Sequence, residues 1–340
     1  MPDRHNNVYS AKAGETATTK RLASAPDRGG PERKPLEGTI GFIGLGHMGA
    51  TMAANLAAGG CKVTGYVREP ERNAELQALG IKPTNTLADL FDCDIVITML
   101  PDDAAAHEIV FGSSSARTGL ASGLKPGALH LSMSTISPAT SSEIAAEHTR
   151  RGQGYVAAPV LGNPDAAKAR ELFILAAGAA DQIDRCRPIF GLLGQRTFVL
   201  GNDPANANLV KLASNVMVAA TLEVLGEVLA LTRKRGLDPE TFLEILTSTM
   251  FGSRVHKIYG AKMIGERYTP GFAFPLALKD VRLTLAEAEA AGVPMPSIGV
   301  VHDRLITGMA RGHGGLDWSA LALVAAEEAG IESKSIISGA

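Results

Sequence analysis

Thr39-Ile40-Gly41-Phe42-Ile43-Gly44-Leu45-Gly46-His47-Met48-Gly49, continued by a helical pattern to Val63-Thr64-Gly65-Tyr66-Val67-Arg68, is the stretch that decides the fold. It reads as a strand, a glycine turn, a helix and a second strand ending in a cation. Gly44, Gly46 and Gly49 form a G-x-G-x-x-G run directly behind an apolar strand: the first glycine permits a tight turn, the second lets the backbone approach a pyrophosphate, and the third lets helix and strand pack. A helix opening near His47 aims free N–H groups and its positive dipole end at the phosphates, so an anion is held without a charged side chain. Leu45, His47 and Met48, lying between these glycines, complete the expected cofactor-binding turn. A glycine-rich turn without a ligand is the bland alternative; the strand before and the helix after favour a dinucleotide.

Outward from this unit, β-rich runs alternate with helical patterns: 62–67, 95–100, 128–131, 155–158, 172–177 and 197–200. This alternation predicts an α/β fold, a doubly wound, mostly parallel Rossmann sheet with helices on both faces, over residues 38–202. Beyond Asp203 strand signals stop, and residues 203–330 read as an all-α domain for substrate and oligomerisation. Asp203 or Pro204 opens a helix expected to reach about Arg235, roughly 45 Å long at 1.5 Å per residue, and Asp238-Pro239-Glu240 starts the next. Residues 1–37 are polar and nearly free of large apolar side chains, which predicts a disordered extension; residues 331–340 read as a flexible tail.

Lys and Arg total 33 against 35 Asp and Glu, with no basic stripe, which argues against a nucleic-acid partner. Cys61, Cys93 and Cys186 are odd in number and lack metal-ligand spacing, so no disulfide framework or metal site is indicated, and a reducing cytoplasm fits. Glu223 and Glu227 interrupt the apolar tract from Val216 to Leu231, so no membrane span is expected. At the end of the second strand an acidic residue would bind the ribose hydroxyls of NAD, whereas a 2′-phosphate needs a cation. Arg68 stands there, ahead of Glu69, and its guanidinium fork suits a phosphate. NADP(H) is therefore the preferred cofactor, with NAD(H) still possible if Arg68 is only a solvated strand end.

Five further blocks accompany the glycine turn: Met99-Leu100-Pro101-Asp102, Met133-Ser134-Thr135-Ile136-Ser137-Pro138, Ala158-Pro159-Val160, Lys211-Leu212-Ala213-Ser214-Asn215 and Leu278-Lys279-Asp280. With them the chain resembles the β-hydroxyacid dehydrogenase family, which includes 3-hydroxyisobutyrate dehydrogenase and the glyoxylate/succinic semialdehyde reductases. The resemblance implies a long interdomain helix and hydride transfer between nicotinamide and a small 3-hydroxy acid or its semialdehyde or keto partner. It makes Lys211 the general acid/base, places Leu100, Pro101 and Thr135 along the nicotinamide half of the cleft, and brings Lys279 to the cofactor. Independently, Lys211 and Asn215 are four residues apart and share one helix face, so both can reach one substrate oxygen. An ammonium of ordinary pKa is protonated at neutral pH and can donate to a developing alkoxide. The bland alternative for Lys211 is a solvated helix lysine. Ser134 is a substrate contact or only the cap of the helix near Pro138. Trp318 could close over substrate or simply pack; His47 and His256 lack partners for chemistry.

The family usually follows Ala-Pro-Val with Ser-Gly-Gly, which holds a substrate carboxylate. Here Leu161-Gly162-Asn163 occupies that substrate-binding stretch, and the usual Asp two residues before the Pro is Ala157. Leu161 removes a hydroxyl and adds apolar surface, so a more hydrophobic substrate portion is expected, with Arg254 as one candidate compensating cation. Two alternatives stand beside the hydroxyacid reading: an NADPH-dependent imine reductase-like enzyme, whose relatives commonly carry Asp or Tyr in place of Lys211, and a noncatalytic dinucleotide-binding module. The resemblance also implies a homodimer or homotetramer.

Overall fold

The computed structural model describes residues 38–112 and 118–332. The extension 1–37 and nearly all of the tail 331–340 lie outside the described residues. In chain order the elements are β1 (Thr39–Ile43), α1 (His47–Ala58), β2 (Lys62–Tyr66), α2 (Asn73–Ala78), β3 (Lys82–Thr84), β4 (Ile95–Thr98), α3 (Asp103–Phe111), α4 (Leu120–Gly123), β5 (Leu129–Ser132), α5 (Pro138–Arg150), β6 (Gly154–Ala157), β7 (Val160–Leu161), α6 (Pro164–Lys168), β8 (Leu172–Gly178), α7 (Ala180–Leu193) and β9 (Gly194–Val199). The helical half follows as α8 (Ala205–Lys234), α9 (Pro239–Ser248), α10 (Arg254–Ile264), α11 (Phe274–Ala290), α12 (Pro296–Ala310) and α13 (Leu321–Glu328).

The strands form one sheet in the order β3-β2-β1-β4-β5-β6-β8-β7, with β9 beside β8. From β3 to β6 every pair is parallel; β8 runs antiparallel to β6. Period-two alternation distributes the strands' apolar residues to both faces. Ile40, Phe42, Ile95, Ile97, Leu129 and Leu131 enter the core beneath α1, α6 and α7, while Ile43 and Val96 face the opposite layer with Leu120 and Leu124. Burial on both faces is what a doubly wound sheet requires. The chain reverses its direction of travel across the sheet between β1 and β4, and the crevice at their carboxyl ends is where such sheets bind ligands.

Two strands were not anticipated: β3 and β7 span only three and two residues, too short for a periodic pattern. Beneath β4 and β5 runs a buried chain of hydrogen bonds. Gln153 Nε2 donates to Ala121 O at 3.1 Å and Leu124 O at 2.7 Å, which fixes its Oε1 toward His148 Nδ1, 2.6 Å away. Burial disfavours charge on both rings; with both neutral, His148 Nε2 accepts from His130 Nδ1 at 2.9 Å, and His130 Nε2 from Thr98 Oγ1 at 2.9 Å. Burial first, and then the neighbouring ring, hold His130 well below the usual histidine range.

The long helix matches its expected course. Thirty residues of α8 give a rod of roughly 45 Å. Its start packs against the sheet side through Ala207 and Val210, and the rest supplies Val216, Ala219, Leu222, Leu225 and Leu229 to the helical core. In length and apolarity this helix would pass as a membrane span despite Glu223 and Glu227, but half of its most apolar window is buried within the fold, as for a core helix. Asp238 caps α9 by accepting from Thr241 N at 2.8 Å.

Candidate active site

The three glycines of the first turn meet different constraints. Gly44 has φ +89°, and a Cβ there would lie 2.2 Å from Met99 O. A Cβ on Gly49 would lie 1.9 Å from Gly44 O. Gly46 differs: a Cβ would meet nothing within 4 Å, so the space left there is not needed by the protein itself. Turn, open approach and close packing are the three duties of a pyrophosphate-binding glycine run. Gly46 caps α1 without a side-chain acceptor, and no acidic residue occupies the first turn, so the leading N–H groups remain available to an anion.

A cavity of about 510 Å³ opens from this turn. Its walls include Gly44, Leu45, Gly46, His47, Met48 and Gly49, and also Arg68, Leu100, Pro101, Thr135 and Lys279. The fold thus brings into one crevice all the residues that the sequence pointed to as cofactor-binding. It adds Glu69, Arg72, Phe272 and Leu276. Arg72 follows β2 by one short turn and leans on Glu75 at 3.4 Å. The residues fit a dinucleotide: one crevice is lined both by the start of α1, with its free backbone donors, and by the cations that follow β2.

From the Lys279 wall a chain of polar contacts leads inward. Lys279 Nζ donates to Thr135 O at 2.5 Å and stands 3.0 Å from Asp280 Oδ1, an ion-pair contact without hydrogen-bond alignment. Asp280 Oδ2 accepts from Asn215 Nδ2 at 2.5 Å, and Asn215 Oδ1 accepts from Lys211 Nζ at 3.0 Å. Lys211, Asn215 and Asp280 are buried, at 8%, 7% and 1% exposure. Lys211 is thus not a solvated lysine. Burial lowers its pKa to about 8, with Asp280 opposing and Lys279 reinforcing the shift. Sequence reasoning assumed an ordinary amine because nothing local in α8 signals burial. Asp280 was quoted within a motif and given no task; only the fold shows it joining Asn215 to Lys279.

Ser134 does not cap α5; Ser137 does, accepting from Thr140 N at 3.0 Å. Ser134 Oγ instead accepts from Leu100 N at 2.8 Å and donates to Thr98 O at 3.3 Å, tying two cofactor loops together. Leu161, Gly162 and Asn163 are not among the cavity's lining residues. Leu161 packs toward the cluster containing Ala207. Gly162 adopts φ +146° against Leu172, and Asn163 Oδ1 accepts from Ala166 N at 2.9 Å to cap α6. Arg254 is exposed at the start of α10. Trp318 is buried and meets Phe272 edge to face at 4.8 Å, so it packs behind the cavity wall. His256 bonds to Ser253 Oγ at 2.7 Å, outside the lining.

A nicotinamide-dinucleotide oxidoreductase is the class that this crevice and fold define. The family description of the NAD-binding domain of 6-phosphogluconate dehydrogenase matches residues 39–201, and that of NADP-dependent 3-hydroxyisobutyrate dehydrogenase matches residues 205–332. An oxidoreductase of Bacillus subtilis, YfjR, is 38% identical over 83% of the chain and 98% of its own length. The 2-hydroxy-3-oxopropionate reductase of Escherichia coli is 31% identical over 83% of the chain and 95% of its own length. Mycobacterium tuberculosis 3-hydroxyisobutyrate dehydrogenase, solved with L-serine, superposes at a TM-score of 0.75 with 25% identity, covering 84% of this chain and 98% of that one. An imine reductase of Myxococcus stipitatus solved with NADP+ shares the fold at a TM-score of 0.57 and 21% identity, covering 84% of this chain and 99% of that one. The chain belongs to the 3-hydroxyisobutyrate dehydrogenase-like family of NAD(P)-dependent oxidoreductases.

Proposed function

We propose that the protein uses NADP(H) to interconvert a small 3-hydroxy acid and its semialdehyde or keto partner, with Lys211 as general acid/base. The observation that carries this reading is the buried Lys211 ammonium, oriented by Asn215 and joined through Asp280 to the Lys279 wall of the dinucleotide crevice. Bound nicotinamide would supply or accept the hydride at the substrate carbon. During reduction the carbonyl oxygen gains negative charge, and Lys211 Nζ supplies its proton. With a pKa of about 8 the amine is still mainly protonated at neutral pH, while the smaller gap eases proton transfer. During oxidation the neutral amine takes the hydroxyl proton. Asn215 holds Nζ in one direction, and Asp280 offsets the buried charge.

Arg68 supports NADP(H), with Arg72 as a second cation near a 2′-phosphate. Glu69 beside them offers an acceptor for ribose hydroxyls, which leaves NAD(H) as a poorer cofactor. The apolar Phe272 and Leu276 in the cavity wall favour a substrate with an apolar portion over one bound mainly through its carboxylate, and also favour an imine as the second reading. Three free, buried cysteines suit a reducing cytoplasm. The exposed stripe of Met217, Val224 and Leu231 along α8 supports self-association as a dimer or tetramer.

The test is NADPH oxidation against a panel of semialdehydes, keto acids and cyclic imines, with NADH in parallel and Lys211→Ala as control. The expected result is turnover of a carbonyl substrate, higher kcat/KM with NADPH, and a loss of roughly 10²- to 10⁴-fold in the variant. Turnover of imines alone would replace the hydroxyacid reading, and a near-normal Lys211→Ala rate would remove the lysine from the chemistry.

A further inference from the structure

The helical-domain side of the cavity is formed by Gly271, Phe272, Leu276 and Lys279. The first two belong to an irregular segment between α10 and α11 that makes only a single bridge, Ala273 to Asp317. An irregular segment at a ligand site needs external partners for its backbone groups. For the N–H groups of Gly271 and Phe272 they come from one side chain. Asp317, 1% exposed, accepts at Oδ2 from Gly271 N at 3.0 Å and Phe272 N at 3.1 Å. Its Oδ1 accepts from Ser319 N at 3.2 Å and Ser319 Oγ at 2.6 Å. Lys262 Nζ from α10 lies 3.2 Å from Oδ2. Trp318 N donates to Phe272 O at 2.9 Å, and the Trp318 ring supports Phe272 from behind, with Tyr259 against its other contact at 5.8 Å.

We infer that Asp317 is a positioning residue that fixes the Phe272 wall of the crevice, and that Phe272 sets selectivity for substrates carrying an apolar segment beyond the reacting carbon. The inference rests on the reading that hydride transfer takes place in this crevice. The chemistry of the latch requires a carboxylate. Both oxygens act only as acceptors, two donors on one and two on the other, with a cation beside them. An amide would turn one acceptor into a donor facing either the two backbone N–H groups or Ser319. Since α11 begins at Phe274, the same contact sets the start of the helix that carries Leu276, Lys279 and Asp280. The latch therefore acts on the helical-domain wall of the crevice, from a residue outside the cavity lining.

The closing experiment compares wild type, Phe272→Ala and Lys262→Met with NADPH and two probes of different length, glyoxylate and succinic semialdehyde. Lys262 is 29% exposed in its side chain, so its replacement leaves the carboxylate with its four donors and tests the latch gently; Ser319→Ala serves as a second variant if Lys262→Met does not fold. Phe272→Ala is expected to reduce the preference for the longer probe by roughly tenfold. Lys262→Met should move that preference in the same direction by about threefold, through KM for the longer probe, with kcat for glyoxylate within about twofold. Trp318 is the only tryptophan of the chain, so its emission reports this wall alone; it should shift to the red in Lys262→Met while the melting temperature stays close to wild type. An unchanged probe ratio, or a ratio that holds while kcat and melting temperature fall together, overturns the proposal. If wild type turns over no carbonyl or imine, the hydride-transfer reading fails, and the latch is then judged by Trp318 emission with and without NADPH. Unchanged emission in Lys262→Met overturns it.

Discussion

The two sides of the crevice handle charge by opposite means. On the Rossmann side the backbone N–H groups of α1 are left open to an anion, with no acid or capping side chain in the first turn. On the helical side a cation is buried at Lys211, behind the Lys279 wall and outside the cavity lining, and held by a relay of side chains from α8 and α11. The first device depends on where a Cβ is absent. The second depends on desolvation balanced by a carboxylate two contacts away. A backbone site is fixed by the path of the chain and tolerates no added atom at its packed positions, whereas a side-chain site can be retuned one group at a time.

The largest expected effect separates the glycines. Gly49→Ala should force the first turn apart, costing about 1–3 kcal/mol or more by overpacking against backbone and removing measurable NADPH binding. Gly46→Ala should fold with a near-normal melting temperature yet bind NADPH at least about tenfold more weakly, since only the ligand meets the new methyl. Calorimetric titration and thermal melts check both, and equal losses of stability would erase the distinction between them. Next comes the titration of Lys211. The rate of oxidation should rise, and that of reduction should fall, through a pH of about 8. Stability carries the same signature. Between about 8 and the ordinary value of 10.5, the unfolded chain holds a proton that the folded chain has released, so stability should rise with pH across that window. Denaturant unfolding of wild type and Lys211→Met at both ends of the window checks this; a rise that survives in the variant belongs to another group.

Asp280→Asn should act less strongly, lowering the apparent pKa of the reaction by roughly one unit through loss of the opposing charge. An unshifted profile would mean that Asp280 only orients Asn215. The smallest effect is expected at exposed Arg68, where replacement by Ala should lower kcat/KM for NADPH by roughly tenfold and leave NADH nearly unchanged. A parallel fall for both cofactors would show that Arg68 does not read the 2′-phosphate.

The same contrast explains what the sequence could disclose. The glycine turn was legible because its requirements lie within Gly44–Gly49 and the strand before it, and the sheet because apolar strands alternate with helices. Long-range geometry was not. Asn215 meets Asp280 across 65 positions and Lys279 reaches Thr135 across 144, so no window of sequence shows that Lys211 is buried or that Asp280 compensates it. Ser134 and Ser137 both stand near Pro138, and only backbone conformation decides which one caps α5. Short β3 and β7 carry too few residues for a period to show, and the His130–His148 contact joins β5 to α5 through side chains alone.

The placement of α8 has a mechanical consequence. Its first turns belong to the cluster containing Ala207, and its remainder forms the spine of the second core, so the boundary between the domains falls inside a continuous hydrogen-bonded helix. Melting either half exposes apolar surface on the rod that the other half uses, and the helix cannot fray at its middle without breaking its own ladder. The two cores are therefore expected to unfold together, and any opening of the crevice must bend or carry the element that holds Lys211.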